Sequence, residues 1–174
     1  MELREIQKPL KERYREDPDA SRITLHADGS SGEDAMNCSV DIGRAIQAAQ
    51  AHTGVGGAGT QACSGDLLLA ALAACAQLTC QMVAANTGIE AKRIEARVEG
   101  DLDLRGTLGV DKSVPAGFSD IRLRFEIDAP DASSEELEGL ISKTERYCTV
   151  LQTLRQPPEV ETRLAARGSG GGTG

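Results

Sequence analysis

One stretch, residues 63–88 (CSGDLLLAALAACAQLTCQMVAANTG), constrains the fold of this chain more than any other. Ser64 and Asp66 can accept hydrogen bonds from the free amides of a helix start, and Gly88 is a typical helix end. Residues 67–76 are apolar on every side, and a helix of that kind must be buried all round or lie in a membrane. The sequence therefore predicts a long helix at the centre of the fold.

A membrane span is the alternative to a buried helix, and the polar residues that follow argue against it. Gln77, Thr79 and Gln81 end the unbroken apolar run after about 10 residues, whereas a helix that crosses a bilayer needs about 20. One sheet and one further helix cannot cover every face of so apolar a helix. We therefore expect an obligate homodimer that buries the remaining faces.

Length and charge narrow the classes of protein and partner. A chain of 174 residues suits one domain, and its net charge of −8 argues against binding to nucleic acid, whose phosphates attract basic surfaces. The pattern along the chain predicts an N-terminal helical extension over residues 1–20, a domain over 21–165 and a disordered tail over 166–174.

The N-terminus and the cysteine spacing indicate a cytoplasmic protein without a bound metal. The first 17 residues are charged and lack the apolar core of a secretory signal, so a reducing compartment is expected. No C-x-x-C or H-x-x-x-H pair is present, which argues against a metal site, and no motif indicates a cofactor. The glycine-rich residues 54–60 lack the following Lys-Ser/Thr of a phosphate loop.

Alternation of apolar and polar residues, together with turn and cap signals, predicts the other elements. They are a surface helix over residues 2–16 with Pro9 inside it, strands over 22–27 and 37–42 joined by a turn at 29–32, a long connection over 43–63, strands over 93–104 and 121–127, a helix from the Ser133 region to about 147, a helix over 149–154 and a last strand over 159–164.

Two of the five cysteines stand out on chemical grounds. Cys75 lies among apolar side chains on the central helix, and Cys80, five positions on, faces about 140° away from it. Cys148 has Arg146 near it and a helix start after it, and both features stabilise a thiolate. The residues alone leave open whether these thiols are reactive or are small core residues, and the second role suits inward-facing Cys38.

Five segments resemble the OsmC/Ohr family of peroxide-handling proteins, in the family's order. They are GGAGT (56–60), CSGDLLLAALAAC (63–75), GDLDLRGTLGV (100–110), GF (117–118) and ERYCTVLQTL (145–154). The resemblance implies an α+β fold in which curved antiparallel sheets wrap around long central helices in an intertwined homodimer. It also implies a thiol peroxidase that reduces organic hydroperoxides and is regenerated by an external dithiol.

The resemblance also implies a role for individual residues. Cys75 matches the peroxidatic cysteine and Cys148 the resolving one. The family's catalytic carboxylate, ten residues before the first cysteine, falls on Gly65, and the adjacent Asp66 is its candidate substitute. No residue matches the motif of the family's activating arginine. Our first candidate for that role is Arg44, and the second is Arg22.

Two other functions remain open at this stage. Because the carboxylate is missing, the chain could instead be a small-molecule binding or scaffold protein that has this fold without efficient peroxidase activity. A hydrolase with a cysteine nucleophile would need a histidine base, and His26 and His52 come with no third orienting group. If the protein is a peroxidase, its apolar helix favours hydrophobic peroxides over hydrogen peroxide.

Overall fold

The chain forms an α+β fold with two antiparallel sheets and one long helix. A computed structural model describes residues 3–24, 27–31, 37–42 and 45–165. The elements in chain order are α1 (Leu3–Glu16), β1 (Asp28–Ser31), β2 (Asn37–Asp41), β3 (Ile46–Gln50), α2 (Ser64–Thr87), β4 (Arg93–Leu102), α3 (Leu104–Thr107), β5 (Phe118–Asp128), α4 (Ser134–Tyr147) and α5 (Thr149–Arg155).

Both sheets pair strands that follow one another in the chain. β1, β2 and β3 form one antiparallel sheet in sequence order, and β4 and β5 form a second. Arg93 pairs with Asp128 at one end of the second sheet and Gly100 with Ile121 near the other. Apolar residues of β4 alternate with exposed charged ones, as the sequence predicts, so one face of this sheet is available to cover a helix.

Helix α2 has the length and limits that the sequence predicts. It ends at Gly88, whose φ of 80° is the left-handed conformation that glycine adopts most readily. Its start is different in detail, because the N-cap is Cys63 and its sulfur accepts the hydrogen bond from the amide of Asp66. The helix packs against β4, α4 and α5.

The core consists of two clusters along α2. The first contains the buried residues Leu72, Ala76, Cys148 and Leu151, with half-buried side chains of β4 and β5 around them. The second, further along the helix, contains Cys80, Ala84 and Leu140. Leu140 and Leu137 lie on one face of α4, and that face covers the second half of α2.

One face of α2 is not covered by the part of the chain that the structure describes. Leu78 keeps 59% of its surface exposed, and Ala71 and Ala74 on the same side are also exposed. The helix is long and apolar enough to cross a membrane by length and composition, and about 33% of its most apolar window is buried here. Its opposite face forms the core described above, as in the central helix of a globular domain.

The predictions for the chain before α2 were partly wrong. The first strand is β1, which begins at Asp28 and runs through most of the predicted turn at 29–32, whereas residues 22–24 form no regular element. The predicted connection over 43–63 contains strand β3, whose sequence IQAAQ is rich in alanine and glutamine, residues that seldom indicate a strand.

The predictions after α2 hold except at the end of the chain. Helix α4 begins with the capping box between Ser133 and Glu136, and β4, β5 and α5 occur where they are predicted, as do α1 and β2 before the central helix. The last strand is absent, because residues 159–164 have no regular structure. The predicted disordered tail, residues 166–174, lies outside the described residues.

Candidate active site

The thiols of Cys75 and Cys148 are hydrogen-bonded to each other. Cys75 comes from the fourth turn of α2, and Cys148 comes from the junction of α4 and α5. Neither forms a disulfide, so the pair is in the dithiol state. Cys148 is fully buried and Cys75 is half-buried, so a small molecule that approaches the pair meets the sulfur of Cys75 first.

The junction between α4 and α5 fixes the position of Cys148. Its amide donates to the carbonyl of Thr144 at 2.9 Å, which ends α4, and its carbonyl accepts from the amide of Gln152 at 2.9 Å, which begins α5. Leu72 and Leu151 pack against it from two sides. Because its backbone belongs to both helix ends, the sulfur is held against α2 with little freedom.

Hydrogen-bond donors set the acidity of Cys75. Burial alone would raise its pKa, but the backbone amide of Val150, the S–H of Cys148, the hydroxyl of Thr79 and the amide of Thr149 all bond to its sulfur, and the net result is a lowered pKa. Donors of this kind stabilise the thiolate more than the thiol. The anion at Cys75 is therefore held by neutral groups.

Cys148 has the opposite shift. Burial is the main cause of its raised pKa, and the neighbouring Cys75 raises it further, although the amides of Leu151 and Val150 act against this. Two interacting thiols lose their protons as a pair, so the first ionisation belongs to the pair and places the negative charge on Cys75. The proton that remains lies on Cys148.

The other described cysteines are apart from this pair. Cys80 is fully buried, and burial raises its pKa. Cys63 caps α2, and its amide donates to the carboxylate of Asp66 at 2.9 Å. The side chain of Cys38 lies outside those that the structure describes.

Comparison with models of known protein families identifies the family of this chain. The model of a protein family described as OsmC-like protein matches residues 57–163, which is more than half of the chain. The chain belongs to this family. The match includes both thiols of the pair and the whole of α2, so it covers the elements that build the site.

Solved structures of OsmC-like proteins have the same fold. The OsmC-like protein of Mycoplasma pneumoniae is 21% identical, with 78% of this chain and 89% of that chain covered and a TM-score of 0.65. An organic hydroperoxide resistance protein OsmC of Legionella pneumophila is 20% identical, with coverage of 78% and 92% and a TM-score of 0.59. The organic hydroperoxide resistance protein OhrB of Bacillus subtilis is 20% identical, with coverage of 78% of this chain and 93% of that chain and a TM-score of 0.50. No curated protein sequence matched the chain.

The structure gives the predicted carboxylate a different task. Asp66 completes the capping box of α2, and the amide of Cys63 is the main cause of its lowered pKa. Nine residues separate it from Cys75, which is about 13 Å along a helix. The structure therefore does not bring Asp66 to the thiol pair, and its catalytic role stays a prediction.

Gly65, where the OsmC/Ohr resemblance expects the carboxylate, lies under an aromatic ring. A Cβ atom at this position would stand 3.3 Å from Cζ of Phe118, closer than ordinary contact. A longer side chain there would require Phe118 to move. The ring thus occupies part of the space near this end of α2.

The predicted activating arginine also stays a prediction. Arg44 lies outside the described residues. Arg22 forms an exposed ion pair with Asp19 at 2.9 Å, and nothing in the structure brings it to Cys75. In the described part of the chain, no cationic side chain is among the groups that shift the pKa of Cys75.

Three hydrogen-bond donors to the sulfur of Cys75 were not predicted from the sequence. Thr79 lies four residues after Cys75, a spacing that places both on one helix face, but the spacing does not indicate a hydrogen bond to the sulfur. The amides of Thr149 and Val150 carry no sequence signal, because every residue except proline has one. His52, considered above as a possible base, accepts a hydrogen bond at Nδ1 from the amide of Gly54 at 3.0 Å.

A metal centre finds no support in the described ranges. No group of three or more histidine, cysteine, aspartate or glutamate side chains is arranged there to hold a metal ion. The arrangement at Cys75 instead suits nucleophilic thiol chemistry, since it combines an accessible, acidic thiol with a second thiol in direct contact.

Proposed function

We propose that this OsmC-like protein is a thiol peroxidase that reduces organic hydroperoxides. The observation that carries the proposal is the hydrogen bond between Cys75 and Cys148, in which the more accessible thiol is also the more acidic. Solved relatives described as organic hydroperoxide resistance proteins support the same class of substrate.

The first step forms a bond between sulfur and oxygen. The thiolate of Cys75 attacks one oxygen of the hydroperoxide, the O–O bond breaks, and the alkoxide leaves with a proton as the alcohol. The sulfur is oxidised to a sulfenic acid and the peroxide is reduced. The amides of Thr149 and Val150 bond to this sulfur in the resting state, so they are placed to hold its negative charge until the attack.

The second step uses Cys148. Its thiol attacks the sulfur of the sulfenic acid, a disulfide between Cys75 and Cys148 forms, and water leaves with the displaced oxygen. Resolution needs little movement because the two side chains are already in contact. An external dithiol then reduces the disulfide, and its own two thiols are oxidised to a disulfide.

The surroundings of the pair favour organic peroxides over hydrogen peroxide. Leu72, Leu151 and Val150 pack around the thiols together with aliphatic side chains of the second sheet. An alkyl or aryl group on the peroxide can be buried against such a surface, at about 25 cal/mol per Å² of apolar area. Hydrogen peroxide has no apolar group to bury.

We also propose a cytoplasmic homodimer. The exposed side of α2, with Leu78, Ala71 and Ala74, is an apolar surface that a second copy can cover. The four described cysteines with placed side chains are all free, which suits a reducing compartment.

A second candidate function is binding without turnover. It is favoured by Gly65, which stands where the OsmC/Ohr resemblance expects a carboxylate and against which the ring of Phe118 packs closely. A protein of this kind would hold an organic molecule beside the thiol pair, and peroxide would oxidise its thiols slowly or not at all.

Peroxide consumption distinguishes these candidates. Purified protein is mixed with cumene hydroperoxide and dithiothreitol, and the loss of peroxide is followed with Cys75→Ser and with Cys80→Ser as the matched control on the same helix. We expect turnover by the wild type and by Cys80→Ser, and none by Cys75→Ser. Equal, slow peroxide loss in all three proteins would favour the binding protein.

A further inference from the structure

A cavity of about 590 Å³ lies between α1, the second half of α2 and the end of α4. Its walls come from three elements that are distant in sequence, and α1 is one of them. α1 precedes residues 57–163, the part of the chain that matches the family model, so this wall is not part of the shared family domain. The lining residues are Gln7, Lys11, Thr79, Met82, Val83, Asn86, Thr87, Lys143 and Tyr147.

Thr79 connects the cavity to the thiol pair. Thr79, Met82 and Val83 follow Cys75 by four, seven and eight positions, a spacing that places them on the helix face of that cysteine. Thr79 lines the cavity, and its hydroxyl bonds to the sulfur of Cys75, although neither cysteine is part of the lining. From α4, the lining residue Tyr147 directly precedes Cys148. The end of the cavity at Thr79 is therefore the end that faces the reactive sulfur.

The lining of the cavity combines apolar side chains with positive charge. Met82 and Val83 give it an apolar floor, and Lys11 and Lys143 bring two positive charges from different helices. Among the described side chains, no acidic residue lines the cavity and neither lysine forms an ion pair. In a chain with a net charge of −8, two unpaired lysines at one apolar cavity are a local exception.

We propose that this cavity binds an anionic amphiphile, an apolar chain that ends in a carboxylate. The carboxylate lies between Lys11 and Lys143, and the chain packs on Met82 and Val83 in the direction of Thr79. The inference deepens the proposed function and rests on it for turnover alone: a hydroperoxide carried on such a chain would be presented to Cys75. Helix α1 then acts as the element that selects the charge of the substrate.

Binding can be tested without any peroxide. Isothermal titration calorimetry would compare dodecanoate with dodecyltrimethylammonium, below their micelle concentrations, in the wild type, Lys11→Glu, Lys143→Glu and Lys8→Glu. Lys8 is an exposed lysine of the same helix and does not line the cavity, so its reversal changes the net charge equally.

We expect the wild type to bind dodecanoate more tightly than the cationic probe. Loss of one exposed ion pair weakens binding by up to about fivefold. Lys11→Glu and Lys143→Glu should therefore each lower the affinity for dodecanoate by about that factor, and Lys8→Glu should leave the affinity unchanged. Equal binding of the two probes by the wild type, or an equal loss in Lys8→Glu, would overturn the inference. Lys11→Met and Lys143→Met, which remove the charge and keep the apolar stem, should also weaken dodecanoate.

Turnover separates this inference from the proposed function. An alkyl hydroperoxide with a terminal carboxylate would be compared with its methyl ester, which has the same peroxide and chain without the charge. We expect kcat/KM to favour the carboxylate about fivefold in the wild type and in Lys8→Glu, and to favour neither in Lys11→Glu. Turnover of both without preference would contradict the cavity's role, whereas selective dodecanoate binding with no turnover would support the cavity and contradict the peroxidase.

Discussion

The S–H of Cys148 donates a hydrogen bond to the sulfur of Cys75, and this contact joins the α4–α5 junction to the middle of α2. It separates two thiols of the same chemical type into an acidic one that is half-exposed and a protonated one that is buried. That division matches the two tasks of a peroxidase that works through a disulfide, attack by one thiolate and resolution by a second thiol.

The first prediction concerns which thiols oxidise. One equivalent of cumene hydroperoxide should join Cys75 to Cys148 and leave Cys38, Cys63 and Cys80 reduced, because a disulfide requires Cα atoms within about 7 Å and the pair is already in contact. Peptide mapping after alkylation of the free thiols measures this. In Cys148→Ser, Cys75 should stop at sulfenic acid and over-oxidise with excess peroxide. Five free thiols after exposure would contradict the peroxidase.

The second prediction concerns the acidity of Cys75. Its pKa lies below the ordinary value of 9.0 partly because Cys148 donates to it, so removal of that donor should raise the pKa. We expect the pKa of Cys75, measured from the pH dependence of its alkylation, to be higher in Cys148→Ala than in Cys148→Ser, whose hydroxyl can still donate. At neutral pH, Cys75 should therefore react more slowly with iodoacetamide in Cys148→Ala than in Cys148→Ser. The same pKa in both variants would show that the contact does not set the acidity.

Sequence patterns predicted the middle of the chain well because there one physical signal dominates. The all-round apolar run of α2, the alternation of β4 and β5 and the capping box of Ser133 and Glu136 each indicate one structure. β3 lacks such a signal, since Ile46–Gln50 contains residues that suit helix or loop equally, and its place in the sheet comes from pairing with β2.

The site was predictable to a smaller extent. The OsmC/Ohr resemblance pointed to Cys75 and Cys148, and periodicity alone could not have brought together residues from α2 and the α4–α5 junction. The donors that lower the pKa of Cys75 are two backbone amides and a hydroxyl, groups whose roles depend on the packing of α5 against α2. Asp66 was chosen for its position beside Gly65, and its part in the capping box of α2 came only from the structure, so its catalytic role stays a prediction.

The third prediction tests that cap. Asp66→Asn should lower the free energy of unfolding by about 0.3–1 kcal/mol and leave the peroxidase rate unchanged, because the carboxylate interacts with the N-terminus of α2. Since the amide of Cys63 lowers the pKa of Asp66, this stabilisation is present above pH 3.8, and it is lost as the pH falls below that value. Urea unfolding at neutral pH and at low pH measures the difference between the two proteins. A rate loss much larger than the stability loss would restore a catalytic role.

The fourth prediction concerns the uncovered face of α2. Leu78→Glu should shift sedimentation from dimer to monomer at micromolar concentration, because a charge would have to be buried where two apolar helices meet. Leu108→Glu is the matched control, since Leu108 is also an exposed leucine, at 55%, and lies outside α2. A wild-type protein that sediments as a folded monomer would contradict the proposed dimer.

The last prediction concerns Gln77, which braces α2 against the edge of β4. Its Nε2 donates to the carbonyl of Ile94 at 2.7 Å, and its Oε1 accepts from the amide of Ala96 at 2.8 Å, so one side chain satisfies two groups of the strand. Gln77→Ala leaves both half-buried groups without a partner, and we expect a loss of about 1–3 kcal/mol in the free energy of unfolding.

Gln81→Ala is the control for that change, because Gln81 is on the same helix and exposed, and its loss should cost less than about 0.5 kcal/mol. The stability loss of Gln77→Glu should lie between those of Gln77→Ala and Gln81→Ala, since a carboxylate can accept from the amide of Ala96 but cannot donate to the carbonyl of Ile94. Urea midpoints at one fixed protein concentration measure all three, because unfolding of a dimer depends on concentration. Equal midpoints for Gln77→Ala and Gln81→Ala would mean that water replaces the glutamine at the strand edge, and that the packing of Leu72 and Ala76 alone holds α2 on the sheet.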